Sequence, residues 1–441
     1  MIIYRDLPTL ATSQECELSI GNFDGVHRGH QALIHRLVSS AHAQGRLAGV
    51  ITFDPHPMRV LRPDMPLAYL TTLDERLELL RLLELDFAIV HPFTSDTART
   101  PAGAFMQSLV AHLHLRRLWV GPDFALGHQR EGNVPTLRRL GDEMGFAVEV
   151  IEPVLVEGIE VRSGHIRQAL SAGKVDLAAQ MLGRPYWLTG KVIRGAGRGR
   201  AMGIPTANLS VPSERVMPAY GVYAAWCHVA GQRRPAAVNI GVRPTFDDKQ
   251  PTVEAHILDF DGELLGAEVR LELVLRLREE RRFPSVEALL SQVRWDVANT
   301  RRALAPELPR FEELDHTADW DIRVWGRDFA DLLAQAGAAM FALQAVDVTA
   351  QPQVWREIQV EAPDREALLV MWLSELLYHS ETRGESYTRF VLDTVTETAL
   401  QARVGGISGL GEKAHIKAVT YHGLSVQETS DGCVARVIFD T

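Results

Sequence analysis

Short apolar runs alternate with amphipathic stretches over the first 183 residues. Leu18 to Ile20, Leu47 to Phe53, Phe87 to Val90 and Leu118 to Val120 read as buried strands. Between them, Asp74 to Leu85 and Pro101 to Leu113 carry apolar residues at helical spacing. Strands alternating with helices predict a parallel sheet covered on both faces, an α/β unit of Rossmann-like type. Ligands of such sheets bind beyond the carboxyl ends of the strands. From 184 to 306 the pattern changes. Strand-like segments such as Val222 to Val229, Ala236 to Ile240 and Thr252 to Asp259, cut by Gly and Pro, predict a small barrel or sandwich. A helix closes it, with Ser285 as its cap and an apolar stripe of Val286, Leu289, Leu290, Val293 and Val297. Leu304 to Arg310, with Pro306 and Pro309, reads as a linker. Residues 311–441 then read as α+β. Phe329, Leu332, Leu333, Ala336 and Met340 form one helical face and Arg365 to His379 a second helix. Ile416 to Val426 and Cys433 to Phe439 are strands.

Composition agrees with three soluble units. At about 150 residues per domain, 441 residues suggest three. The net charge of −10 argues against strong direct nucleic-acid binding, although Arg194 to Arg200 is one candidate for a local basic patch. Cys16, Cys227 and Cys433 are too scattered for a disulfide framework or a cysteine zinc site, which fits a reducing cytoplasm. Met1 to Leu10 lacks the pattern of a signal peptide, and charges interrupt every apolar run before a membrane span is reached.

The first strand runs straight into Gly21-Asn22-Phe23-Asp24-Gly25-Val26-His27-Arg28-Gly29-His30. A helix should begin near His27. Small residues let backbone approach a phosphate, and a helix N-terminus favours negative charge. His27 and His30, three apart, face one side of the first turn and can donate to phosphate oxygens as pyrophosphate leaves. Two histidines at this spacing also suit an ordinary surface helix or half of a metal site. The whole string resembles the H-x-G-H signature of class I nucleotidylyltransferases, in the FAD synthetase branch. Thr52-Phe53-Asp54-Pro55-His56-Pro57 and Gly121 to Gly127 resemble further loops of that family. The resemblance implies nucleotide contacts from Gly21, Asn22, Phe23, Asp24 and Gly25, and flavin contacts from Asp123 and Phe124. Ser163-Gly164-His165-Ile166-Arg167 stands where the family has Ser-Ser-Thr-x-Ile-Arg, a phosphate-holding motif. Arg162 and Gly164 replace two hydroxyl residues there, while Ser163 and Arg167 remain.

The second segment opens on Gly183-Arg184-Pro185-Tyr186. It continues through Gly195, Gly197, Gly199 and Gly203 to Pro205-Thr206-Ala207-Asn208. Glycines free backbone N–H groups to cradle phosphate, and Thr206 and Asn208 offer oxygens suited to magnesium. A glycine hairpin between strands would look similar. The string resembles the riboflavin kinase signature, as do Asn239 to Phe246, Val253-Glu254-Ala255-His256 and Leu277-Arg278-Glu279 followed by Phe283. That resemblance implies ATP and magnesium at the glycine turn, a flavin contact at Arg278, and Glu254 as general base on the ribityl hydroxyl.

In the third segment Asp315-His316-Thr317-Ala318-Asp319, Trp372 to Tyr378, Ile416 to His422 and Ile438-Phe439-Asp440 form an ordered set that resembles archease. The two aspartates of the first motif would otherwise serve as turn and cap residues. The resemblance implies calcium or magnesium on Asp319 and Asp440, with the Thr441 carbonyl. It also implies a partner: an RNA ligase that joins cyclic-phosphate ends in tRNA splicing and RNA repair. Gly405-Gly406 departs from the Gly-Glu common in that family. Taken together the chain is expected to convert riboflavin to FMN and FMN to FAD with ATP, and to assist such a ligase. The alternative is a working kinase with a nucleotide-binding N-terminal scaffold and a metal-independent docking module. An adenylyltransferase for another acceptor fits less well beside a flavin-specific kinase signature.

Overall fold

The computed structural model describes every residue except 8–13, 66, 196–198, 200–201, 243–250, 305–308, 315–318, 410–414 and 430–431. Two compact units form. The first comprises Met1–Ala172, Leu177–Arg184 and Pro212–Pro218; the second comprises Gly173–Asp176, Pro185–Val211 and Ala219–Thr441.

The first unit is built on six parallel strands: β1 (Ile2–Tyr4), β2 (Cys16–Ile20), β3 (Leu47–Asp54), β4 (Phe87–Pro92), β5 (Leu115–Val120) and β6 (Ala147–Val150). Their order is β1-β4-β3-β2-β5-β6. Every residue of β2 is buried, as a central strand covered on both faces requires. The chain winds from β2 through β3 to β4 on one side, then returns to lay β5 against the other edge of β2. That reversal opens a crevice at the carboxyl end of β2, where the Gly21–His30 stretch begins. Helices α1 (Arg28–Ala43), α2 (Leu73–Arg81), α3 (Ala102–Leu113), α4 (Val134–Met144) and α5 (Ser163–Ser171) accompany the sheet.

Pro212–Pro218 joins this unit through buried polar contacts. Val216 N–H donates to the Tyr69 carbonyl at 2.9 Å and Tyr69 N–H to the Glu214 carbonyl at 2.7 Å. The buried Arg215 guanidinium pairs with Glu75 at 2.7 Å and donates to the Leu70 carbonyl at 2.6 Å. No apolar pattern marks this segment, because its attachment is made by backbone and charge.

The second unit contains a closed antiparallel barrel. Its strands are β7 (Tyr186–Ile193), β8 (Ala207–Ser210), β9 (Gly221–Val229), β10 (Gln232–Val242), β11 (Pro251–Ile257) and β12 (Glu268–Glu279), in the order β7-β8-β11-β10-β9-β12. Val253, Ala255 and Ile257 are buried while Thr252, Glu254 and His256 stay partly exposed, the period-two alternation of a half-buried strand. Helix α6 (Val286–Leu304) follows, and the Ser285 hydroxyl caps it by accepting from Ala288 N–H at 3.2 Å. The expected apolar stripe is only half-buried from Leu289 to Val297. Val286 is 54% exposed, and the buried positions are Asp296, Asn299, Thr300, Arg302, Ala303 and Leu304. Ion pairs and amide hydrogen bonds satisfy that polar face, and hydropathy cannot register them.

Residues 311–441 form two sheets. One pairs β13 (Phe311–Leu314), β14 (Trp320–Gly326), β19 (Gly432–Asp440) and β18 (Ala418–Thr429); the other pairs β15 (Val354–Glu361), β17 (Ala399–Ser408) and β16 (Glu385–Val395). Helices α7 (Phe329–Leu343) and α8 (Arg365–Arg383) pack in one core with Trp372, Phe341, Tyr387 and Phe390. Gly405 and Gly406 lie inside β17, where Cβ atoms would stand 2.9 Å from Pro352 Cβ and 2.7 Å from the Ser386 carbonyl. Close packing accounts for the glycine pair there. Cys16, Cys227 and Cys433 are buried free thiols. Among the described residues, no helix is long and apolar enough to cross a membrane.

Candidate functional site

Three places gather the chemistry. The first is the turn from β2 into α1. Phe23, Gly25 and Val26 adopt positive φ (48°, 83° and 40°), a costly choice for a β-branched valine. Asp24 holds the turn. Its buried carboxylate accepts from Leu70 N–H at 3.1 Å, Thr71 N–H at 3.0 Å, the Thr71 hydroxyl at 3.2 Å and the Arg167 guanidinium. Gly25 N–H donates to the Thr71 hydroxyl at 3.0 Å, and the Ser163 hydroxyl donates to the Asp24 carbonyl at 3.0 Å. The separate segments Gly21–Gly25, Ser163 and Arg167 therefore meet.

His27 caps α1, its Nδ1 accepting from His30 N–H at 3.3 Å. That bond leaves the proton on Nε2. The two imidazoles stack with centroids 3.6 Å apart, and Phe23 meets the His30 ring edge-on at 5.2 Å. Burial pushes the His27 pKa down to about 4 and His30 well below the imidazole range, helped by the neighbouring His27 and Arg76. Both rings are neutral donors at pH 7. His30 Nδ1 and Asn22 Oδ1 are buried without a hydrogen-bond partner.

Arg76 is a member of this site that hydropathy does not single out. It sits on the buried face of α2, donates to the Thr52 hydroxyl at 3.0 Å, and keeps Nε buried without a partner. Thr52 in turn donates to the Asn22 carbonyl at 3.1 Å. The signal in the sequence is a charge on an otherwise apolar helical face. His56, capping the Pro57–Leu61 helix, is likewise pushed down to about 4 by burial. Asp123 lies exposed and paired with Arg162 at 2.5 Å, beside a half-buried Phe124; Arg162 also meets Glu160 at 2.8 Å.

The second place is the outer face of the barrel. The ladder sets Asn208 opposite Glu254, Glu254 opposite Asn239, Asn239 opposite Val222, and Val222 opposite Arg278. Directly paired residues share a face, so these five side chains form one transverse row. Gly195 leans over one end: a Cβ on it would stand 2.2 Å from Asn208 Nδ2. A Cβ on Gly199 would come 2.4 Å from the Ile204 carbonyl and 3.3 Å from the Thr206 hydroxyl. Glycine is thus needed where the turn closes on the Thr206 and Asn208 oxygens, a donor set that fits magnesium completed by phosphates and water. Gly203, at φ 75°, closes the turn, and the Pro205 carbonyl lies 2.8 Å from His256 Nδ1. Gly197 and Arg243 to Phe246 lie outside the described residues. At the far end Arg278 grips Asp296 of α6 with Nε at 2.9 Å and Nη2 at 2.8 Å.

The third place is the start of β14 beside the end of β19. Trp320 pairs with Phe439, so Asp319 and Asp440 each stand one residue beyond that pair, at the same end of the ladder. Lys417 Nζ already donates to the Thr441 oxygen at 2.8 Å. Among the described residues no three His, Cys, Asp or Glu side chains cluster as a metal site. Asp315, His316, Thr317 and Ala318 lie outside the described residues.

Known proteins resolve the three places in the same order along the chain. Family models match for FAD synthetase over residues 9–165, riboflavin kinase over 182–304 and the archease protein family over 311–441. A bifunctional riboflavin kinase/FMN adenylyltransferase from Pseudomonas fluorescens is 38% identical over 303 residues, 67% of this chain and 95% of that protein. The Escherichia coli K12 enzyme of the same description is 36% identical, covering 66% and 93%. A crystal structure of a macrolide-efflux protein from Streptococcus pneumoniae is similar at 29% identity and a TM-score of 0.64, covering 68% of this chain and 98% of that one. The chain thus belongs to the bifunctional riboflavin kinase/FMN adenylyltransferase family and carries an archease-family domain over residues 311–441.

Proposed function

We propose that the two ATP-dependent reactions divide between the first two places residue by residue. In the barrel, Glu254 takes the proton of the ribityl hydroxyl as its oxygen attacks the γ-phosphorus of ATP; the new P–O bond yields FMN, and ADP leaves. Thr206 and Asn208 would hold magnesium, which when bound neutralises phosphate charge. Gly195, Gly199, Gly203 and Pro205 shape the cradle, and Arg278 orients the flavin. The observation that carries this is the register placing Glu254 between Asn208 and Asn239.

In the sheet unit, an FMN phosphate oxygen attacks the α-phosphorus of a second ATP and pyrophosphate departs. His27 and His30 donate to the phosphate oxygens as charge builds on the leaving group. Gly21 to Gly25, with Ser163 and Arg167, hold the nucleotide; Arg76 adds a cation beside Asn22; Asp123 and Phe124 face the flavin. Chromatography of reactions with riboflavin, ATP and magnesium tests the division. His30→Ala should lose FAD and keep FMN. Glu254→Gln should lose FMN from riboflavin yet still make FAD from supplied FMN. Loss of both activities in either variant would refute separate sites.

For residues 311–441 we propose assistance to an RNA ligase of the cyclic-phosphate-joining type, with Asp319 and Asp440 as ligands of a divalent cation. The family match over the whole segment and the shared ladder end support this reading. Co-purification with such a ligase, lost with a chelator, is the expected result. Capture that persists with the chelator would favour metal-independent docking.

A further inference from the structure

The kinase barrel and the archease-family domain share more than a linker. Val222, Ala224, Leu275 and Leu277 of the barrel and Ala303 and Leu304 of α6 pack in one cluster with Val391 of β16, with Trp355 of β15 against it. Around this cluster the archease-family domain grips both elements that carry the flavin end of the transverse row. On the strand side, Arg403 of β17 donates to the Leu277 carbonyl at 2.9 Å and to the Arg276 carbonyl, the two residues immediately before Arg278. Arg403 is itself held by Asp393 of β16, with Nε at 2.9 Å. On the helix side, Asn299 lies three residues beyond Asp296 and donates to the Leu392 carbonyl at 3.0 Å. Asn299 also accepts from Arg302 at 3.1 Å, and Arg302 lies 3.5 Å from Asp331 of α7.

The Arg278–Asp296 pair spans the strand and the helix. It keeps its geometry only while the two stay in register, and the groups that lock each of them beside the pair come from residues 331–403. We propose that the archease-family domain serves the kinase in cis: Arg403 and Asn299 are positioning residues that hold the Arg278–Asp296 pair in its riboflavin-binding geometry. The buried polar face of α6 is then an interface built to carry this link, since apolar packing alone would leave the rotation of α6 about Arg278 unspecified. The inference rests on the reading of Arg278 as a flavin contact.

Full-length variants separate the two. Arg278→Gln tests the contact and should raise the riboflavin KM at least about ten-fold, the loss expected for a hydrogen bond from a charged group. An unchanged KM there refutes the flavin contact itself. Arg403→Lys and Asn299→Ala test the clamp. Each should raise the riboflavin KM about five-fold, the worth of one buried hydrogen bond. The KM for ATP, the kinase kcat and conversion of FMN to FAD should stay within about two-fold. A purely structural role would reduce the active fraction, and so kcat, at constant KM. Asn299→Ala removes only one amide and decides alone if the Arg403 variant does not melt cooperatively. An unchanged riboflavin KM in a cooperatively melting clamp variant, or a fall in kcat alone, while Arg278→Gln raises KM, overturns the proposal.

Discussion

Arg215 lies within the stretch matched by the riboflavin kinase family, yet its side chain serves the adenylyltransferase unit. It is 3% exposed, paired with a Glu75 that is 7% exposed, and donates to the carbonyl of Leu70. Leu70 and Thr71 supply the backbone N–H groups that hold Asp24, and Asp24 lies in the turn from β2 into α1. Arg215→Met keeps most of the side-chain volume and deletes the charge. Glu75 keeps Thr72 N–H as a donor at 2.9 Å in its capping box, so the carboxylate is not left bare. Breaking a buried pair from one side costs about 3–5 kcal/mol, and the retained donor argues for the lower end, about 3 kcal/mol. For a unit of this size that is a fall of roughly 6–12 °C in Tm. Differential scanning calorimetry should show the fall, and chromatography should show slower FAD formation from FMN with riboflavin phosphorylation largely kept. Adding Glu75→Gln should recover part of the stability, because the neutral pair strands no charge. An Arg215→Met protein that melts within about 1 °C of the parent and makes FAD at the parent rate would refute the chain of contacts from Arg215 to the Asp24 turn.

Three further outcomes are expected. Gly195→Ala, whose Cβ would overlap the Asn208 amide, should abolish riboflavin phosphorylation while FAD still forms from supplied FMN; retained kinase turnover would contradict the close approach. His27 folds with a pKa near 4 against an ordinary 6.5, so between those values the unfolded chain takes up a proton that the folded chain does not. Its contribution is flat above pH 6.5 and falls by about 1.4 kcal/mol per pH unit toward pH 4. Urea unfolding at several pH values should show a fall toward acid, and His27→Gln should lessen its slope by about 1.4 kcal/mol per pH unit while the share of His30 and His56 remains. Millimolar calcium should raise the melting temperature of the full chain, as any ligand of the folded state does, and Asp440→Asn should remove the shift. A parent protein indifferent to calcium and magnesium would leave Asp319 and Asp440 without the proposed cation.

The elements themselves were largely legible. Buried runs such as Leu47–Phe53 and amphipathic ones such as Pro101–Leu113 became β3 and α3 because burial of one face is a local property of side-chain order. The curl of the Gly21–His30 turn was legible for a related reason: glycine, a short acid and two histidines at fixed spacing suit a backbone that must curl and rings that share one face. Legibility ended where a partner far along the chain decides burial. The apolar stripe of α6 did not reveal its buried polar positions, since Asp296, Asn299 and Arg302 are buried only because Arg278, the Leu392 carbonyl and Asp331 wait for them. Arg76 was hidden for the same reason.

By itself, then, the order of residues determined which segments are strands and helices and which family each third resembles. Only the tertiary structure decided that Glu254 stands between two asparagines, that Pro212–Pro218 completes the sheet unit, and that the last domain grips the kinase strand and helix. Periodicity records how a side chain meets its nearest neighbours and water. A buried charge or amide is settled by one distant counterpart, and that pairing leaves no repeat in the sequence.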